Sequence, residues 1–127
     1  MSKQVIATTS APKALGPYSQ GIVASGEMIF VSGQIPIDPA TNTLVEGDIT
    51  VQTTRCMENI KAILAEAGVG MDAIVKTTIF VKDMNNFATV NEAYGKYFET
   101  AAPARGCVEV ARLPKDVQVE IEAIAVK

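Results

Sequence analysis

The 127-residue sequence has no histidine and only two cysteines, Cys56 and Cys107. Without imidazole, Ser-His-Asp and Cys-His nucleophilic catalysis are excluded in their usual forms. So are the common zinc sites, most of which rely on imidazole or clustered thiolates. The cysteines lie far apart without CxxC spacing, so reduced thiols are expected rather than a disulfide. No apolar run approaches the roughly 20 residues of a membrane-spanning helix. The start Met1-Ser2-Lys3-Gln4-Val5 carries one positive charge with no apolar stretch behind it, so no secretory signal is expected. These absences lead us to expect a soluble, cytoplasmic protein. There is also no Lys/Arg-rich run, and the net charge is −3 with a pI near 4.9. This disfavours a nucleic-acid surface, where phosphate contacts dominate affinity. No repeat, low-complexity stretch or linker divides the chain, and its length suits one domain over 1–127.

What is present is ordinary globular material, 48% hydrophobic and 20% charged, so a core should form. Tyr18 to Ala24 and Met28 to Ser32 read as strands joined at Ser25-Gly26-Glu27 into a hairpin. Pro36 and Pro39 make Gly33 to Gly47 a loop. Asp48 is placed to cap a helix in which Ile60, Ile63, Leu64 and Ala67 recur at helical spacing, with Gly68 ending it in the left-handed conformation. Ile74 to Lys82 alternates as a strand with Val75, Thr77, Ile79 and Val81 on one face. A second helix spans about Asn86 to Phe98, with Phe87, Val90, Asn91, Tyr94 and Phe98 on its apolar side. Arg105 to Ala111 and Val117 to Val126 read as two further strands joined through Arg112-Leu113-Pro114-Lys115-Asp116. The order ββ-α-β-α-ββ predicts an α+β fold, a mostly antiparallel sheet with two helices packed on one face.

Two helices cover only one side of such a sheet, yet its strands are apolar on both. Burial of the second face in an oligomer follows from that patterning. Any catalysis must rest on carboxylates, tyrosine, arginine, cysteine or backbone groups. Arg105, Cys107 and Glu109 share one strand face. If Ala111 pairs with Asp116, Cys107 stands opposite Glu120, so that a guanidinium, a thiol and a carboxylate converge. Each residue also has a plainer reading. Arg105 could be a surface cation, Cys107 a buried thiol, Glu120 a solvated strand charge, Tyr18 a packing ring and Asn91 a satisfied amide. The residues alone therefore imply an oligomeric α+β domain with an anion site.

Four stretches narrow this further. Gly16-Pro17-Tyr18-Ser19-Gln20-Gly21, Val31-Ser32-Gly33-Gln34-Ile35-Pro36, Lys76 to Asp83 with Phe87 to Asn91, and Pro103 to Pro114 with Val119-Glu120-Ile121-Glu122 together resemble the hallmark segments of the RidA (YjgF-type) family, in order and over essentially the whole chain. The resemblance implies a trimeric chorismate-mutase-like barrel with helices outside and three sites at subunit interfaces. It implies hydrolytic deamination of 2-imino and enamino acids such as 2-aminoacrylate and 2-aminocrotonate to 2-oxo acids and ammonia, with no cofactor and no metal. By the same resemblance Arg105 would bind the substrate carboxylate, and Cys107 and Glu120 would flank the reacting carbon and water. Tyr18 would come from a neighbouring subunit, and Ser32 and Asn91 would line or support the pocket. Gly106 departs from relatives that carry serine or threonine there. The rival readings are a non-catalytic trimer that binds small 2-oxo carboxylates and, disfavoured by charge and composition, a ribonuclease or translation inhibitor.

Overall fold

β-Branched and apolar residues set the strands of this chain, and glycine and proline set their limits. The computed structural model describes residues 2–127. In chain order it forms β1 (Ser2–Ile6), β2 (Gly21–Ser25), β3 (Met28–Gln34), the short β4 (Ile37–Asp38) and β5 (Thr43–Leu44), α1 (Ile49–Glu66), β6 (Ile74–Val81), α2 (Phe87–Gly95), β7 (Ala104–Glu109) and β8 (Val119–Val126). The main sheet runs β3-β8-β6-β7 and is antiparallel except between β6 and β7. Both helices pack on one face, α1 over β8 and β3 and against α2. The α+β class and the one-sided helix layer are those expected. No helix among the described residues is long and apolar enough to cross a membrane.

Helix α1 shows its sequence signals directly. Asp48 Oδ1 accepts from Val51 N at 3.0 Å. At the other end Val69 N donates to Leu64 O and Gly68 N to Ala65 O, each at 3.0 Å, with Gly68 at φ +85. This is a Schellman end, which needs a residue tolerant of positive φ. The buried stripe is Thr53, Cys56, Met57, Ile60 and Leu64, whereas Ile63 sits at its margin, 39% exposed. Helix α2 stops at Gly95, three residues earlier than its apolar spacing suggests. A Cβ at Gly95 would lie 3.2 Å from Pro17 Cβ, so the N-terminal segment crosses closely where the helix ends.

Two pairings differ from those expected. β2 does not form a hairpin with β3. It pairs with β1, from Ser2↔Ser25 to Ile6↔Gly21, a strand not among those expected. β3 pairs instead with β8, from Met28↔Val126 to Val31↔Ala123, which buries Ile121, Ala123 and Ala125 under α1. Nor does β7 return as a hairpin on β8. It lies parallel to β6, from Lys76↔Ala104 to Val81↔Glu109, because β6-α2-β7 is a βαβ unit whose helix carries the chain back to the starting end. The link to β8 then crosses the end of β6. Val110 N donates to Val81 O and Lys82 N to Gln118 O. Lys115 and Asp116, both at φ 55, make the turn. Smaller differences are a β4–β5 ladder inside the expected loop and a bulge between Ile74 and Lys76, which buries Ile74 and leaves Val75 half-buried.

The sheet face away from the helices is uncovered in the single chain and is apolar in part. Phe30 is 72% and Val108 46% exposed there, with Phe80 and Ile124 half-buried between them.

Candidate active site

Arg105 stands level with Thr77 in the parallel ladder. Thr77 is buried under α2, so Arg105 projects to the helix side from an edge strand. Phe87, Asn91 and Tyr94 on α2 occupy positions i, i+4 and i+7, one stripe of the helix, and all three meet it. Asn91 Oδ1 accepts from Arg105 Nη1 at 2.5 Å. The ring centroids of Phe87 and Tyr94 each lie 5.5 Å from the guanidinium carbon, and that of Tyr18 lies 5.3 Å away. Tyr18 is brought there by its neighbours. Pro17 rests on Gly95, Ser19 N and Oγ donate to Pro103 O and Ala102 O, and Tyr18 Oη accepts from Leu15 N at 3.2 Å. Among the described residues the single ion pair is Arg112–Asp116. Arg105 therefore has no carboxylate partner, and its buried Nε has no hydrogen-bond partner. A cation fixed by three rings and one amide is a receptor for an anion.

Beneath the cage, Thr77 Oγ1 and Tyr94 Oη are 2.7 Å apart and both residues are buried. Burial pushes the Tyr94 hydroxyl up to about 12, with Thr77 and Arg105 opposing it weakly. Two residues beyond Arg105, Cys107 is half-buried against the core. Burial raises its thiol above the ordinary value and the charge of Arg105 only partly offsets this, so the thiol is neutral at pH 7. Among the described residues no group of three or more Cys, Asp and Glu side chains could hold a metal ion.

Glu120 lies elsewhere. In the register Phe80 stands between Val108 and Glu120, whereas Ile79 stands between Cys107 and Ile121. Glu120 therefore points to the uncovered face, opposite to Arg105 and Cys107, and two strand spacings away, roughly 9–10 Å. Its carboxylate covers Gly33, where an added Cβ would fall 2.3 Å from Oε2. Ser32, exposed on β3, is beside it.

The model of the family described as Endoribonuclease L-PSP matches residues 8–127. A 2-iminobutanoate/2-iminopropanoate deaminase of Salmonella typhimurium is 56% identical over 130 residues, covering 100% of this chain and 99% of that relative. A RutC family protein of Pyrococcus abyssi is 58% identical over 127 residues, covering 100% and 99%. Among solved structures, the YjgF gene product of E. coli is 53% identical with a TM-score of 0.76, covering 98% of each chain. E. coli TdcF, solved with bound serine, is 49% identical with the same TM-score and coverage. The chain belongs to the RidA (YjgF/L-PSP) family.

In this RidA-family chain the structure gathers Tyr18, Asn91, Arg105 and Cys107 but not Glu120 and Ser32. The expected convergence of Arg105, Cys107 and Glu120 within one chain depended on a β7–β8 hairpin and fails with it. Tyr18, expected from a neighbouring subunit, stacks on Arg105 of its own chain. Phe87 and Tyr94 were visible only as apolar helix positions; the signal that could have promoted them is their one-stripe spacing with Asn91. Gly33 was missed as well, since nothing in sequence shows a carboxylate resting on its Cα. Gly106 has nothing within 4 Å of an added Cβ, so a serine or threonine side chain would fit there.

Two results follow from this geometry. Gly33→Ala should push the Glu120 carboxylate aside by about 1 Å or more, because an added Cβ would fall 2.3 Å from Oε2, and a crystal structure of the variant measures the displacement. A Glu120 carboxylate left in place in the folded Gly33→Ala protein would show that the backbone of β3 yields instead. The Tyr94 hydroxyl, at about 12 in the fold against about 10 unfolded, contributes stability that is complete below pH 10. That stability is lost, by roughly 2–3 kcal/mol, as pH rises towards 12. Tyr94→Phe should cost about 1 kcal/mol at neutral pH through the stranded Thr77 hydroxyl and should lack this alkaline loss. Urea unfolding of both proteins between about pH 9 and 11.5 measures the difference, and parallel pH profiles would refute it.

Proposed function

We propose that this protein hydrolyses reactive 2-imino acids, and the enamino acids that tautomerise to them, to 2-oxo acids and ammonia. The carrying observation is Arg105, an uncompensated guanidinium held in a cage of neutral groups beside a neutral thiol. The family membership and the deaminase relative at 56% identity support the same reaction. Arg105 presents a planar fork to the substrate carboxylate, a geometry that lysine cannot supply. The iminium carbon is already electrophilic, so the protein need only place a water and move protons. Water oxygen bonds to that carbon while the C=N pair moves to nitrogen, and one water proton passes to the Glu120 carboxylate. Glu120 then returns a proton to the amine. The C–N bond breaks with its pair on nitrogen, and the hydroxyl proton passes to the released ammonia as the 2-oxo group forms. Iminium and water thus become ketone and ammonium, with Glu120 restored. Cys107 shapes the pocket and is no nucleophile, because its thiol is protonated and no base adjoins it.

A single chain holds Arg105 and Glu120 on opposite sheet faces, so one chain does not complete this site. In the proposed assembly, a homotrimer buries the uncovered faces, and Glu120 with Gly33 and Ser32 of one copy meets Tyr18, Arg105 and Cys107 of another. The net charge of −3 weighs against an RNA substrate. The test is turnover of 2-aminoacrylate freshly released by a dehydratase, followed as loss of the intermediate in a spectrophotometer. Release of 2-oxopropanoate no faster than in buffer would overturn the proposal.

A further inference from the structure

Arg105 is half-buried with its Nε out of reach of solvent, and a cation so placed normally faces a carboxylate, because leaving it unpaired is costly once it is partly desolvated. Arg105 faces the amide of Asn91 instead. A guanidinium only donates, so the amide must present its oxygen, and aspartate would fit the same space while adding a full negative charge. Phe87 and Tyr94 flank Asn91 on the helix stripe and offer ring faces that attract the cation without neutralising it. The same-face carboxylate on the strand, Glu109, is engaged elsewhere, with Oε1 accepting from Met84 N at 2.9 Å. Every group holding Arg105 is therefore electrically neutral.

We propose that Asn91 is a positioning residue whose neutrality keeps the Arg105 charge uncompensated, so that the site prefers small 2-oxo and 2-imino carboxylates over their uncharged amides. The inference rests on Arg105 being the carboxylate anchor. An aspartate at position 91 would form an internal ion pair and compete with the ligand for the same donors. Stability and binding should then move in opposite directions, which a merely structural asparagine would not produce.

The experiment compares wild type, Asn91→Asp and Asn91→Leu in calorimetric binding of 2-oxobutanoate and 2-oxobutanamide, together with Tm. Wild type should prefer the carboxylate. Asn91→Asp should bind 2-oxobutanoate ~30-fold or more weakly, with the amide within about threefold of wild type and Tm equal or higher. Asn91→Leu should weaken both ligands and keep the preference, since it adds no charge. An Asn91→Asp protein that retains the preference, or that loses both ligands equally with a lower Tm, would overturn the role of Asn91 while leaving Arg105 as anchor. A wild type that binds the two ligands equally would overturn both.

Discussion

Arg105→Ala should lower kcat/KM by roughly 30- to 1,000-fold, the 2 to 4 kcal/mol expected for losing the charged hydrogen bonds of one fork. Arg105→Lys should be nearly as damaging, because an ammonium cannot donate to Asn91 and a carboxylate with the planar geometry of a guanidinium, and it cannot lie flat between rings. Cys107→Ser should keep much of the activity, since the thiol is protonated and supplies shape. The contrast separates anchoring from covalent catalysis. Steady-state kinetics on dehydratase-generated 2-aminoacrylate decides it, and a Cys107→Ser protein as inactive as Arg105→Ala would restore the nucleophile.

The second large effect concerns which chains build a site. Glu120→Gln keeps shape and a hydrogen bond but cannot take the water proton, so kcat should fall by roughly 10²- to 10⁴-fold while 2-oxobutanoate still binds. Arg105 and Glu120 lie on opposite faces of one sheet, so each working site should draw them from different copies. Unfolding and refolding an equal mixture of Arg105→Ala and Glu120→Gln chains should then create sites that pair an intact Arg105 with an intact Glu120. In randomly mixed trimers this occurs at about a quarter of the sites, so activity should rise from near zero towards a quarter of wild type. If both residues served one site from the same chain, mixing would recover nothing. Light scattering on the same sample should report three chains per particle.

Much of this organisation is legible in residue order. Asp48 and Gly68 bracket α1 because a capping oxygen and a left-handed residue are local requirements met within a few positions. The alternation of β6, the apolar stripe of α2 and the surplus of apolar strand residues likewise depend on periods of 2 and 3.6, so the α+β class and an uncovered apolar face could be foreseen. The segments around Tyr18, Asn91, Arg105 and Glu120 carry the family resemblance for the same reason: they are contiguous.

Strand partners are a different matter, since a strand's pattern states which residues share a face but not which strand lies beside it. The sequence by itself determined both helices and the strands β2, β3, β6, β7 and β8, the lack of imidazole chemistry, and Arg105, Cys107 and Glu120 as the groups available. Only the tertiary structure decided that β7 joins β6 in parallel through α2. That pairing turned Arg105 and Cys107 to the helix side, Arg105 against Phe87, Asn91 and Tyr94, and left Glu120 over Gly33 on the other face. The physical reason is non-local. Placing β6 between β7 and β8 lets α2 cross back over the sheet and buries Ile79, Val81, Val119 and Ile121 together, a gain that no single segment's pattern expresses.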